Sequence, residues 1–189
     1  RVAGVDLCLR YLVLARKRLN GRGVVLAAEA ERLPFRDGSF AGVIAADVIE
    51  HLGDPRRSLA EMGRVLLPGA PLFLSTPNRF SLTPEPHVGL WGVGYLPRRW
   101  ANRYVQSRRQ IFYDDVRLLS AAALARLLRA HFPGPARILI PGLSPRQMEF
   151  FPPWKRRLAR CYLALRRWPL LRSVFYLFGP FFQVVAVKR

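Results

Sequence analysis

A chain of 189 residues, 51% apolar and 23% charged, has the length and composition of one globular domain with a sizeable core. Its longest nearly apolar run, Val174 to Val187, is broken by Gly179-Pro180 and falls short of the roughly 20 residues a membrane-spanning helix needs. The formal charge of +19 is almost wholly arginine, since only Lys17, Lys155 and Lys188 are lysines.

In the first half, short apolar strands alternate with amphipathic helical segments, the pattern of a parallel α/β sheet. Val2 to Val5 reads as a strand. A helix over Leu9 to Leu19 follows, its apolar residues at helical spacing until Asn20-Gly21 ends it. Val24 to Ala28 and Gly42 to Ala46 read as the next two strands. Asp54-Pro55 caps a helix whose buried stripe is Leu59, Met62, Val65 and Leu66. Pro68-Gly69 then turns the chain into a strand over Leu72 to Thr76.

From Pro77 to Gln110 the regularity fails. Repeated prolines and glycines with Trp91, Tyr95, Trp100 and Tyr104 predict a long irregular insertion within residues 77–115, and loops of this length usually serve function. Ser120 caps a helix over Ala121 to Ala130, and Ile138 to Ile140 reads as a strand. Residues 153–168 form a basic amphipathic helix. Trp154, Leu158, Cys161, Tyr162, Leu165 and Trp168 share one face, surrounded by Lys155, Arg156, Arg157, Arg160, Arg166 and Arg167. A short aromatic segment, Leu170 to Phe178, precedes a last strand over Phe181 to Val187.

Charge is unevenly spread. Residues 1–115 carry 17 basic and 11 acidic side chains, whereas residues 116–189 carry 14 basic ones and a single acid, Glu149. Coding bias toward arginine is one reading; an anionic partner near the C-terminal part is the other. The two distant cysteines, Cys8 and Cys161, carry no metal-ligand spacing, no metal ligands are read from the sequence, and a reducing, cytoplasmic setting is the expectation.

Acids close three of the apolar runs: Asp6, Glu29 and Asp47. Ligands of doubly wound sheets bind at the carboxyl ends of strands, where an acid can grip ribose hydroxyls. Asp6 fits that role, or the plainer one of stabilising a helix N-terminus. Glu29 and Glu31 read equally as solvated loop acids. Imidazole titrates near neutrality, which makes His51 a candidate general base. A structural hydrogen bond at a helix start is its alternative role. His87 is a second base candidate or an ordinary exposed loop histidine.

Taken together, Glu29-Ala-Glu-Arg-Leu-Pro-Phe-Arg-Asp-Gly-Ser-Phe40 and Val43-Ile-Ala-Ala-Asp-Val-Ile-Glu-His51 resemble the middle of a class I S-adenosylmethionine-dependent methyltransferase. The branch is the one that works on small molecules and lipids. Gly4 to Arg16 and Arg64 to Asn78 resemble flanking segments, and Glu85-Pro-His87 and Tyr95-Leu-Pro97 resemble substrate-side ones. Ala41, Leu67 and Ala70 depart from the pattern.

The resemblance implies an α/β fold with a doubly wound, Rossmann-like, mostly parallel sheet and an antiparallel last strand. It also implies a first strand, glycine-rich loop and helix upstream of Val2 that are missing from this sequence. S-adenosyl-L-methionine is the implied cofactor, with Asp6 and Leu7 at its ribose, Glu29 and Ala30 at adenine, and Asp47 at the methionine end. His51 and His87 become the proton-handling candidates, and Asn78 and Tyr95 face the acceptor.

The acceptor is expected to be small or lipid-like. Aromatic and leucine side chains ringed by arginine suit a lipid headgroup layer, which points to peripheral attachment at an anionic inner membrane face. The same stripe could pack as a lid over the active site. Nucleic acid fits less well, because stacking aromatics there need not follow helical spacing. A non-catalytic methyltransferase-like scaffold that binds anionic surfaces is the alternative to an enzyme.

Overall fold

The computed structural model describes every residue except Pro133. Strand β1 (Val2–Asp6), helix α1 (Leu9–Leu19) and strand β2 (Gly23–Ala27) form a unit of strand, helix and parallel strand, paired from Val2 with Gly23 to Asp6 with Ala27. Strand β3 (Val43–Ala46), helix α2 (Pro55–Val65) and strand β4 (Pro71–Pro77) repeat the arrangement. Then come α3 (Arg98–Arg109), α4 (Ala121–His131), β5 (Ala136–Leu139), α5 (Pro145–Glu149), α6 (Pro153–Leu165), α7 (Pro169–Phe178) and β6 (Phe181–Val187).

The sheet order is β3-β4-β6-β5, with β6 antiparallel to both neighbours, and β1-β2 forms a separate two-stranded ladder. This is the mixed α/β, Rossmann-like architecture with an antiparallel last strand that the sequence predicts. Among the described residues, the second edges of β1 and β3 pair with no strand.

Alternation along the strands builds the core. Leu72, Leu74 and Thr76 of β4 point inward, while Phe73 between them is 46% exposed. Phe182, Val184 and Ala186 of β6 lie beside them. From the covering helices come Leu59, Met62, Leu124 and Leu128. Each fully buried leucine of this cluster stabilises the fold by about 1.5–3 kcal/mol. Helix α2 starts where the sequence places it: Asp54 Oδ1 accepts from the Arg56 and Arg57 amides at 3.0 and 3.2 Å, with Pro55 in the first turn. At its other end the Lys188 ammonium donates to the carbonyls of Arg64 and Leu66, groups a helix terminus otherwise leaves unpaired.

Two expectations change. The insertion is not irregular throughout, because Arg98 to Arg109 forms α3. Its five arginines leave only Ala101 and Val105 buried, so the apolar stripe is too thin to stand out in the sequence. These residues pack with Val88, Val93 and Tyr113 into a second small core that orders the insertion. The basic helix is also shorter than the expected 153–168. It ends at Leu165, and Trp168 is extended before Pro169, as steric conflict with the proline ring requires, so α7 starts anew.

Candidate functional site

Side chains with chemistry collect at the carboxyl ends of β1, β2, β3 and β4. Asp6 ends β1 and is exposed; its Oδ1 accepts from the Cys8 amide at 2.7 Å, which turns the chain into α1. Leu7 beside it is 68% exposed. Glu29 lies just past β2, exposed, with its carbonyl accepting from the Arg32 amide in a tight turn. Ala30 packs against the main core.

The loop from Glu29 to Asp37 is fastened from below. Arg64 of α2 donates to the carbonyls of Leu33 and Phe35 and to Asp37 Oδ1, and grips Glu61 with two nitrogens at 2.7 and 2.8 Å. Glu61 returns a contact by accepting from the Leu33 amide. These hydrogen bonds hold the Glu61 carboxyl below its ordinary value, hydrogen bonding to Arg64 being the largest cause.

Asp47 follows β3 with φ at +52°, a left-handed conformation that aspartate tolerates better than most side chains. Its amide donates to the Ser75 carbonyl and its Oδ1 accepts from Ser75 Oγ, both at 2.9 Å. One residue on, past Val48, Ile49 to His51 form a short 3-10 helix. Ile49 and Glu50 turn inward and His51 outward.

His51 meets the insertion there. Its Nε2 lies 3.1 Å from His87 Nε2, the two rings edge to face. His87 Nδ1 lies 2.5 Å from Glu85 Oε1, and the other Glu85 oxygen accepts from the Val88 amide. With Glu85 ionised, His87 carries its proton on Nδ1 and presents a lone pair at Nε2, so His51 donates in the bond between them. Below the pair sits Glu50, wholly buried. Its Oε2 accepts from Thr76 Oγ1 at 2.9 Å, and its Oε1, 3.9 Å from His87 Nε2, has no hydrogen-bond partner among the described residues. Burial pushes the Glu50 carboxyl up, opposed by its own amide and by Thr76. Buried Tyr113 stands beside the same acids, and burial followed by the charge of Glu85 drives its phenol upward.

The two acceptor-side expectations part company. Tyr95 is 46% exposed, its hydroxyl donating to the Phe80 carbonyl at 2.6 Å, and Gly94 packs so closely on the Arg79 backbone that no Cβ fits. Asn78 is corrected by the structure. It is 3% exposed, its amide nitrogen donates to the carbonyls of Leu177 and Gly179, and its oxygen accepts from Phe80. With all these groups engaged inside the fold, it fastens the end of α7 and faces no acceptor. Glu50 and Glu85 are the site residues that sequence reading passes over. A signal existed: each is an acid within two positions of a histidine.

A surface depression of about 360 Å³ lies elsewhere, at the amino end of β4, lined by Arg64, His131, Lys188 and Arg189 among others. In a sheet of this kind that end is remote from ligand chemistry.

Residues 1–74 match the family model described as a methyltransferase domain. The demethylmenaquinone methyltransferase of Thermus thermophilus is 34% identical over 97 residues, covering 50% of this chain and 41% of that protein. The ubiquinone/menaquinone biosynthesis C-methyltransferase of Chromobacterium violaceum is 39% identical over 95 residues, covering 49% and 39%. The chain thus spans about two fifths of the length of these relatives. Among solved structures, a methyltransferase of Thermotoga maritima superposes with a TM-score of 0.59 at 21% identity, covering 99% of this chain and 72% of that one. Phosphoethanolamine N-methyltransferase 2 of Haemonchus contortus, solved with S-adenosylmethionine, gives 0.60 at 19% identity, covering 99% and 43%. The fold is that of the Rossmann-like methyltransferases. Over residues 1–74 and the stretches shared with these relatives, the chain is similar to S-adenosylmethionine-dependent methyltransferases.

Proposed function

We propose that the chain takes S-adenosyl-L-methionine at the carboxyl ends of β1, β2 and β3 and transfers its methyl group to an oxygen or carbon of a small, lipid-linked acceptor. The observation that carries this reading is the His51–His87 couple beside the Asp47 turn, in a chain with the fold of these methyltransferases. Asp6 and Leu7 would border the ribose, Glu29 and Ala30 the adenine, and the Asp47 main chain the methionine end.

Methyl transfer is an in-line displacement. The sulfur–methyl bond breaks as the acceptor–methyl bond forms, and the electron pair stays on sulfur to leave S-adenosylhomocysteine. Positioning supplies much of the acceleration for an already activated sulfonium. A neutral acceptor must also lose a proton, and an imidazole of the couple takes it, with Glu85 orienting His87. Relatives named for demethylmenaquinone and ubiquinone/menaquinone methylation favour a ring carbon of a quinone precursor with an apolar tail.

Such an acceptor dissolves in membranes, and α6 and α7 suit a membrane surface. Trp154, Leu158, Trp168 and Leu170 are each more than 60% exposed, and Arg157, Arg160 and Arg167 beside them are exposed too. Their exposure favours a surface-facing stripe over a lid packed on the site. We place the chain at the cytoplasmic face of an anionic membrane as a peripheral protein. No helix among the described residues is long and apolar enough to cross one.

Calorimetric titration of S-adenosylhomocysteine into the chain and its Asp6→Ala variant tests the cofactor site, followed by transfer of labelled methyl to a demethylated quinone. Absence of S-adenosylhomocysteine binding both by the folded chain and by a folded form extended upstream through the expected glycine-rich loop would overturn the enzyme reading and favour the scaffold. Equal co-sedimentation with neutral and anionic vesicles would overturn the membrane placement.

A further inference from the structure

We propose that Glu50, His51 and His87 form a site for one divalent transition-metal ion, with Glu85 holding His87 from outside the ligand set. The proposal rests on the methyl-transfer reading for its purpose, though not for its geometry.

The three side chains offer donor atoms that all lie within 4.8 Å of one another. His51 Nε2 and His87 Nε2 are 3.1 Å apart, and His87 Nε2 and Glu50 Oε1 are 3.9 Å apart. Donors around a tetrahedral ion with bonds of about 2.0–2.1 Å stand roughly 3.3 Å from each other. Small side-chain shifts therefore seat the ion between them, with no rearrangement of backbone.

Glu50 supplies an independent reason. Its side chain is wholly buried and one oxygen is anchored by Thr76, yet Oε1 points at the histidines without a partner. A buried polar oxygen left unpaired is costly, and native structures retain few without cause. A cation at this spot would satisfy it.

The third reason is the contact between Glu85 and His87 Nδ1. Metal-bound histidines commonly donate their second ring nitrogen to a carboxylate, which fixes the tautomer and strengthens the ligand. Glu85 does this here while 5% exposed and held in turn by the Val88 amide. His87 thus already presents the lone pair an ion requires. His51 joins by moving its proton to Nδ1. Two imidazoles and one carboxylate favour zinc, cobalt or manganese over magnesium or calcium. Because both histidines are exposed, a fourth position stays open to solvent or acceptor. An acceptor hydroxyl bound there would lose its proton more readily, which prepares the oxygen, or a conjugated ring carbon, to receive the methyl group.

The test titrates Zn²⁺ and Mn²⁺ calorimetrically into the chain carrying Cys8→Ser and Cys161→Ser, which removes the exposed thiols as competing ligands. Co²⁺ is added in parallel to read its visible absorption bands. One ion per chain is expected, with strong Co²⁺ bands showing a four-coordinate site. His51→Ala and His87→Ala should abolish saturable binding, and Glu85→Gln should weaken it roughly 10–100-fold. His131→Ala, far from the cluster on α4, should bind as the parent does. Circular dichroism screens each variant for folding, and the parent Co²⁺ spectrum decides the matter if a variant fails to fold. Absence of saturable binding by the parent overturns the site, as does unchanged binding by a folded His51→Ala, His87→Ala double variant. S-adenosylhomocysteine titration of the same samples separates the two readings. Cofactor binding without metal uptake sinks the cation site alone; metal uptake with no cofactor binding, in this chain and in a form extended upstream through the expected glycine-rich loop, sinks the methyl-transfer reading and leaves the site standing.

Discussion

Thr76 Oγ1 donates to Glu50 Oε2 at 2.9 Å, with both side chains wholly buried. Thr76→Val keeps the shape and removes the donor, so Glu50 Oε2 joins Oε1 in having no partner. We expect a loss of about 1–3 kcal/mol in urea unfolding. Glu50→Gln, able to donate as well as accept, should cost less than Thr76→Val. The reverse order would show that the hydroxyl does not anchor this carboxyl.

Arg64 joins helix α2 to the loop that carries Glu29 and Ala30. Arg64→Ala should destabilise the fold by about 1–2 kcal/mol, a modest figure because the guanidinium is partly exposed. Its larger effect should fall on S-adenosylhomocysteine affinity, roughly tenfold weaker as the loop loses its fastening. Equal affinity in calorimetry would detach this loop from cofactor binding.

The same contact predicts a pH dependence. Glu61 is held below its ordinary value of 4.5 in the folded chain. A carboxyl with a lowered folded pKa contributes stability that is present above the unfolded value and lost as pH falls through the folded one. Stability should therefore drop more steeply below about pH 4.5 in the parent than in Glu61→Gln. Parallel acid limbs in denaturant melts at a series of pH values would contradict the assignment.

Asn78 gives a contrast between structure and chemistry. Asn78→Ala removes three hydrogen bonds in a buried setting, with an expected cost of about 3 kcal/mol. KM for the acceptor should stay within error of the parent. A raised KM with unchanged stability would restore the residue to the acceptor side.

How legible the chain was depends on how local the signal is. Helix α1 and strand β6 run over the residues that periodicity marks; β6 buries alternate side chains, and α1 ends at Asn20 in the left-handed conformation that Asn20-Gly21 announces. Helix α3 escaped notice, since two small buried residues among arginines carry little pattern. Asp6, Glu29 and Asp47 were visible as acids that end apolar runs. The His51–His87 contact was not, because 36 residues separate partners that only the ordered insertion brings together. Asn78 misled for a related reason: its position at a strand end suggests ligand chemistry, while its actual partners, 99 and 101 residues away, lie beyond any local rule.

Division of the sheet into two ladders carries a consequence for motion. The β1–α1–β2 unit buries only Leu12 deeply and bears Asp6, with Glu29 just past its end, while Asp47 belongs to the larger, well-packed ladder. Amide hydrogen exchange should find the smaller ladder opening first, as a cooperative unit of its own, well ahead of β4 and β6. A cofactor touching Asp6, Glu29 and Asp47 at once would span both units and slow exchange in the weaker one. Such binding would double as a clasp, and the protection it confers on residues 1–27 would measure how tightly the clasp closes.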